Sequence, residues 1–348
     1  MAYSTISKPG LHFNTKLYTG NGGSQSITGV GFQPDWLWFK KRNGAADSSL
    51  IDAVRGVRKS LTSNNNEVEY TESAGLSAFD SDGFSFDGTG YDHVNTNSDL
   101  FVAWCWKAAN SSGSANTSGD INSTVSANTT AGFSIVSYTG TGSVATVGHG
   151  LGVAPKLIII KRRTGGTDAW PVDLRATSGT AYLNETGSVQ SYGNSTPFPS
   201  TAPTTTVFSI GTANNANANG SDFIAYCFAE KQGYSKMGKY IGNGNADGAF
   251  VYTGFKPAFT LIKRDATDNW AIHDNRRPGR NPNDAVLRSN LADGEYGGSQ
   301  GVDFLSNGFK ARQNDGEFNA SGNSYIYLAI AEEPLVANVG SGVPATAV

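Results

Sequence analysis

Apolar residues along this chain come in runs of four to seven, bounded by Gly, Pro, Asn or Asp, which is the length of a β-strand. Some runs alternate. Gly83-Phe-Ser-Phe86 and Gly132-Phe-Ser-Ile-Val136 place their apolar side chains on one face. Others, such as Leu157–Ile160, are continuous, as in strands covered on both faces. No stretch sustains a 3.6-residue period. Short strands separated by turn residues predict an antiparallel β-sandwich or jelly roll.

The pattern repeats. Tyr18-Thr-Gly-Asn-Gly-Gly23, Tyr138-Thr-Gly-Thr-Gly142 and Tyr240-Ile-Gly-Asn-Gly244 each open a unit. Apolar runs ended by basic residues follow at Pro34–Arg42, Pro155–Arg163 and Pro257–Asp265. Then come Leu50–Arg55, Trp170–Arg175 and Trp270–Arg276, and each unit closes on Leu100–Trp106, Asp222–Phe228 or Ser324–Ile330. The three prolines stand 121 and 102 residues apart, and the three opening tyrosines 120 and 102. Four landmarks in one order at matching offsets indicate a triplicated unit of about 100 residues.

The expected organisation is all-β, with three tandem antiparallel β-sandwich modules of jelly-roll or concanavalin-like type. Repeat one spans 12–109, repeat two 132–231 and repeat three 234–334. Residues 110–131, rich in Ser, Asn, Thr and Gly, read as a flexible linker. That linker would leave repeats two and three as the stiffer pair. Residues 335–348 read as an extended C-terminal tail.

Composition narrows the function. Charged residues are 16 % of the chain and the net charge is −3, a poor basis for nucleic-acid binding, which needs clustered Lys and Arg. No apolar run approaches the length of a membrane span, so no membrane insertion is expected. The N-terminus lacks a basic segment followed by an apolar one, so the expectation is synthesis in a cytoplasm without a signal peptide. Two cysteines cannot form a disulfide scaffold. Cys105 and Cys227 share one repeat position, with Leu328 taken as the third copy, and read as core residues.

Candidate chemistry is sparse. The glycine-rich openings read as hairpin turns, because no helical pattern follows them as a phosphate-binding loop requires. The four histidines share no repeat position, so no metal site or shared base is expected. Asp52, Asp173 and Asp274 recur, each with an Arg within three residues (Arg55, Arg175, Arg276), and read as structural ion pairs. Asp80-Ser-Asp82-Gly reads as a turn, lacking the later acidic ligand of a calcium loop. No catalytic residue and no cofactor are expected. Trp170 and Trp270, near strand starts, and Arg276 and Arg280, in a local basic patch, are the candidate ligand contacts.

Phe13-Asn-Thr-Lys-Leu-Tyr-Thr-Gly20 and Ser26–Lys40, with Asp52-Ala-Val-Arg-Gly56, Leu61-Thr-Ser-Asn64 and Ala331-Glu-Glu-Pro-Leu-Val336, resemble a repeat of predicted virion proteins of marine bacteriophages, including cyanophages. The resemblance is strongest in repeat one and weakest in repeat two, which keeps only Leu183-Asn184 of the Leu-x-Ser-Asn pattern. It implies lectin-like β-sandwich repeats in a non-enzymatic tail-fibre or appendage protein on the virion surface. It implies as partners other virion proteins, a host cell-surface glycan and further copies of the chain, as a homotrimer. The alternative it leaves is a capsid decoration or head-fibre protein with no receptor role.

Overall fold

A computed structural model describes residues 4–335 apart from 92, 299 and 300. The tail expected at 335–348 lies outside the described residues, save Leu335. Among the described residues the chain is built of antiparallel strands, with one short α-helix at Asn214–Asn217.

Three large sheets repeat one strand order. In the first, Phe13–Thr19 pairs with Leu100–Trp106, which pairs with Trp36–Lys41, then Ser49–Asp52, Lys59–Thr62 and Tyr70–Thr71. The same order runs Phe133–Thr139, Asp222–Phe228, Leu157–Arg162, Pro171–Leu174 and Gly179–Tyr182 in the second. It runs Ser235–Ile241, Ser324–Pro334, Phe255–Arg264, Trp270–Asp274 and Leu287–Arg288 in the third. The closing strand of each repeat thus inserts between its first two large-sheet strands. A small sheet covers one face of each: Ser24–Thr28 with Gly83–Asp87 and Leu76–Asp80, Ala145–Gly148 with Val207–Ile210, and Phe250–Tyr252 with Gly308–Ala311 and Val302–Leu305. This is the expected all-β sandwich architecture.

Proline placement follows the ladder. Pro34 and Pro155 precede their strands, where a missing N–H costs no ladder bond. Pro257 lies inside its strand, at a shift in register between Lys256 and Phe259.

Both faces of each large sheet are covered, which is why the strands read as continuous apolar runs. Leu37, Phe39, Ala103 and Cys105 face the first small sheet, while Trp36, Trp38, Trp104 and Trp106 face the opposite way. Ile158 and Ile160 divide from Leu157 and Ile159 in the same manner. The opposite faces of all three large sheets meet in one shared core. There Trp36 stacks on Tyr226 with ring centroids 4.3 Å apart, and Phe13 lies 5.5 Å from Phe259. All six tryptophans are buried.

Repeat one touches both of its partners, so the three repeats close a ring in place of the expected stiff pair with one tethered neighbour. Glu69 N–H donates to Arg163 O, Val189 N–H to Asp265 O, and Glu295 N–H to Arg42 O, so backbone bonds cross every junction. Each sheet's flank meets the next in a head-to-tail arrangement that closes after three steps, as heterologous interfaces do when the rotation permits.

The expected linker is ordered. Ser114–Asn116 and Ser123–Asn128 pair with one another and extend the second large sheet beyond Phe133–Thr139. Its two isolated apolar residues supply the anchors: Ile121 is buried and Val125 packs against the repeat-two core. Asp35 fixes the entry, its carboxylate accepting from the N–H groups of Ala108 and Asn110. A polar segment needs only an open sheet edge and two anchors to become strand, and composition shows neither.

Register corrects two alignments. Cys105 pairs with Leu37 and Cys227 with Ile158, while Ala329 pairs with Thr260, so Ala329 and not Leu328 is the third copy of the cysteine position. Both thiols are buried and free, and burial pushes them well above the ordinary range.

Candidate functional site

Trp170 and Trp270, expected as exposed ligand contacts, are fully buried at the junctions between repeats. The Trp170 indole N–H donates to Thr62 O at 3.0 Å and that of Trp270 to Tyr182 O at 2.8 Å. Their backbone N–H groups are held by the side-chain oxygens of Asn184 and Asn290, as Asn64 holds Ser48. The Leu-x-Ser-Asn pattern is therefore a hairpin clamp, and repeat two keeps its essential asparagine. A strand start is exposed in a single sandwich, but here a neighbouring repeat covers it.

The aspartate series divides in two. Asp52 pairs across the ladder with Trp36, Asp274 with Phe259 and Leu174 with Leu157, so Leu174 is the true counterpart of Asp52 and Asp274. Asp173 stands one residue earlier and faces the other side, where Arg175 and the Tyr192 hydroxyl bind it. Burial pushes its carboxyl up to about 6, against the pull of Arg175 and Tyr192. Asp274 pairs with Arg277 and not with Arg276.

Each buried pair is completed by the neighbouring repeat. Tyr226 OH donates to Asp52 Oδ2 and Trp104 Nε1–H to Asp274 Oδ2, both at 2.9 Å. Register makes Leu328 the counterpart of Tyr226 and Trp104. Leu328 and Leu174 line one small apolar cavity between repeats two and three. Where the acid is lost, the donor is lost with it. This matched exchange follows from the cost of burying an unpaired charge, and it assigns the pairs to assembly of the ring.

Lys40, Lys161 and Lys263, from the basic ends of the three proline strands, are also fully buried. Lys40 Nζ donates to Leu291 O of repeat three, and Lys161 Nζ to Asn66 O of repeat one. Burial pushes the Lys40 ammonium down to about 7 and those of Lys161 and Lys263 down to about 8. His273 is buried against Phe318, and burial with the nearby Arg277 pushes it down to about 3, so it is neutral.

The glycine-rich openings are corners and not hairpins, because the strands they join belong to different sheets. Tyr18, Tyr138 and Tyr240 each send the hydroxyl to a carbonyl of the facing loop, at Val94, Ala216 and Phe318. Buried Asn95, Asn217 and Asn319 then hold the corner backbone. A Cβ on Gly20, Gly140 or Gly242 would come within 2.1, 2.4 or 2.5 Å of a loop carbonyl, so only glycine fits. Asp82 likewise spends its carboxylate on the N–H groups of Gly29 and Gly31.

Arg276 and Arg280 are exposed, and they point to different places. Arg276 borders a groove with Lys16 and Gly29 of repeat one. Arg280 borders a pocket of about 130 Å³ with Lys256, Asn275, Asn281, Asn283, Phe304 and Glu332. The loop that builds this pocket joins Trp270–Asp274 to Leu287–Arg288. Ile272 pairs with Leu287, whereas Leu50 pairs with Leu61 and Val172 with Ala181, so this loop exceeds its counterparts by four and six residues. Asn281 is fixed by two bonds with the Phe304 backbone. Asn283 is buried, with Nδ2 donating to Asp274 O at 2.7 Å. Its Oδ1 has no hydrogen-bond partner among the described residues. Sequence reading reached Arg280 through its charge and missed the asparagines, whose only signal was the longer loop.

Comparison with curated proteins returns no match, and neither does comparison with solved structures. One family model, described as a domain of unknown function, matches residues 8–334, which takes in all three repeats. One family description thus spans the whole ring, and the chain belongs to the DUF7483 family.

Proposed function

We propose that the protein is a non-enzymatic building block of a phage virion surface, a tail-fibre or appendage component that adheres to host-surface glycans. The single observation that supports this reading is the shared core of the three repeats. A ring of sandwiches closed on a shared core is a stiff body. Stiffness is what an appendage needs. The recurrent acid–arginine pairs are buried at the junctions, away from any substrate. Repetition within the chain raises effective concentration at a surface, and the homotrimer implied by the resemblance adds to it.

Labelled protein applied to intact host cells tests adhesion. Saturable binding competed by host surface polysaccharide is the expected result, and absence of binding to every host of the phage would overturn it. A second reading, a capsid decoration protein, is favoured by Phe250 and Tyr252, two exposed aromatics on one face of a sheet-edge strand. Immunogold labelling of particles separates the two, with gold on appendages for the first and on the head shell for the second.

A further inference from the structure

We infer that the long loop of repeat three forms a binding site for a single neutral sugar residue, held in the pocket between Arg280, Lys256 and the three asparagines 275, 281 and 283. The inference rests on the adhesive reading for its biological setting.

Three observations carry it. First, the loop is surplus to the fold. The same hairpin closes with four fewer residues in repeat one and six fewer in repeat two, on the same sheet and register. The internal copies act as controls, and only the third carries the extra residues.

Second, the pocket is lined by a residue whose acceptor lacks a donor. Asn283 Oδ1 is buried and has no hydrogen-bond partner among the described residues. A buried acceptor without a donor is unfavourable, and a ligand hydroxyl relieves it. Asn283 cannot swing away to relieve this, because its Nδ2 is tied to Asp274 O.

Third, donors line the same pocket. The Arg280 guanidinium and the Lys256 ammonium border the same space. Both are already balanced, Arg280 by Asp284 and Lys256 by Glu332, so the pocket shows no net demand for an anion. Groups that donate and accept at once answer such a mixed lining, and sugar hydroxyls do both. The volume decides the size of the ligand. About 130 Å³, against the roughly 10–15 Å³ that one water needs on the same measure, leaves room for one sugar ring.

The test uses the full chain and four probes: methyl glucoside, methyl galactoside, methyl mannoside and N-acetylglucosamine, followed by NMR titration. At least one probe should saturate. Arg280→Ala should weaken it at least tenfold with an unchanged melting temperature, since that side chain is 60 % exposed. Asn283→Ala should abolish binding, and Arg276→Ala, in the separate groove, should bind as the parent does. Failure of all four probes to saturate would overturn the site, and so would parental affinity in Arg280→Ala. Protein that fails here yet adheres to host cells loses the pocket and keeps the adhesive reading. Saturable sugar binding by a protein absent from particles does the reverse.

Discussion

Side chains at the junctions carry the ring, and their chemistry gives measurable consequences. Lys40, Lys161 and Lys263 have folded pKa values pushed down to about 7, 8 and 8, below their unfolded value. Between about pH 7 and 9 the unfolded chain therefore binds more protons than the folded one, so stability should rise with pH across that window. Urea unfolding at pH 7, 8 and 9 checks this, and Lys161→Met should flatten the slope. Asp274→Ala leaves Arg277 buried without its partner and should cost roughly 3–5 kcal/mol by the same measurement. Trp270→Phe, which keeps most of the ring and strands the Tyr182 carbonyl, should cost about 1–3 kcal/mol and leave sugar binding intact. At this scale the sequence was legible in residue type more than in place. It marked Asp52, Asp274, Trp170 and Trp270 as recurring, but burial at a neighbour's face is set by assembly. A one-residue shift placed Asp173 in the wrong series, because an acid one step along a strand points to the opposite face.

Strands were the most legible elements, since four to seven apolar residues between turn signals leave few other structures. The continuous run Leu157–Ile160 also foretold coverage on both faces, and the second cover is the other repeats. Segment 110–131 was misread because its partner edge lies in the fold and not in its own composition. Hydrogen exchange should show the amides of 123–128 protected like those of Phe133–Thr139, and exchange at a free-peptide rate would contradict the hairpin. The long loop of repeat three makes the complementary case. Deleting Gly279–Pro282 brings it to the length found in repeat one, so the chain should fold with little change in melting temperature, because loop-closure cost varies slowly with length. The sugar site should be gone.

The whole molecule is where the account departs most from beads on a string. The repeat arithmetic was legible, but the closure of three repeats on one core was not, because nothing in a repeat's own pattern distinguishes a face covered by its small sheet from a face covered by its neighbours. The exchange of Asp52 with Tyr226 and Asp274 with Trp104 for Leu174 with Leu328 was visible as letters and gained meaning only from register. A ring whose repeats share a core should unfold as one body. Calorimetry of the full chain tests this most directly. The account predicts a single transition whose calorimetric enthalpy equals its van't Hoff enthalpy. Two or three separable transitions, or a calorimetric enthalpy near three times the van't Hoff value, would show independent repeats and contradict the shared core on which the proposed function stands.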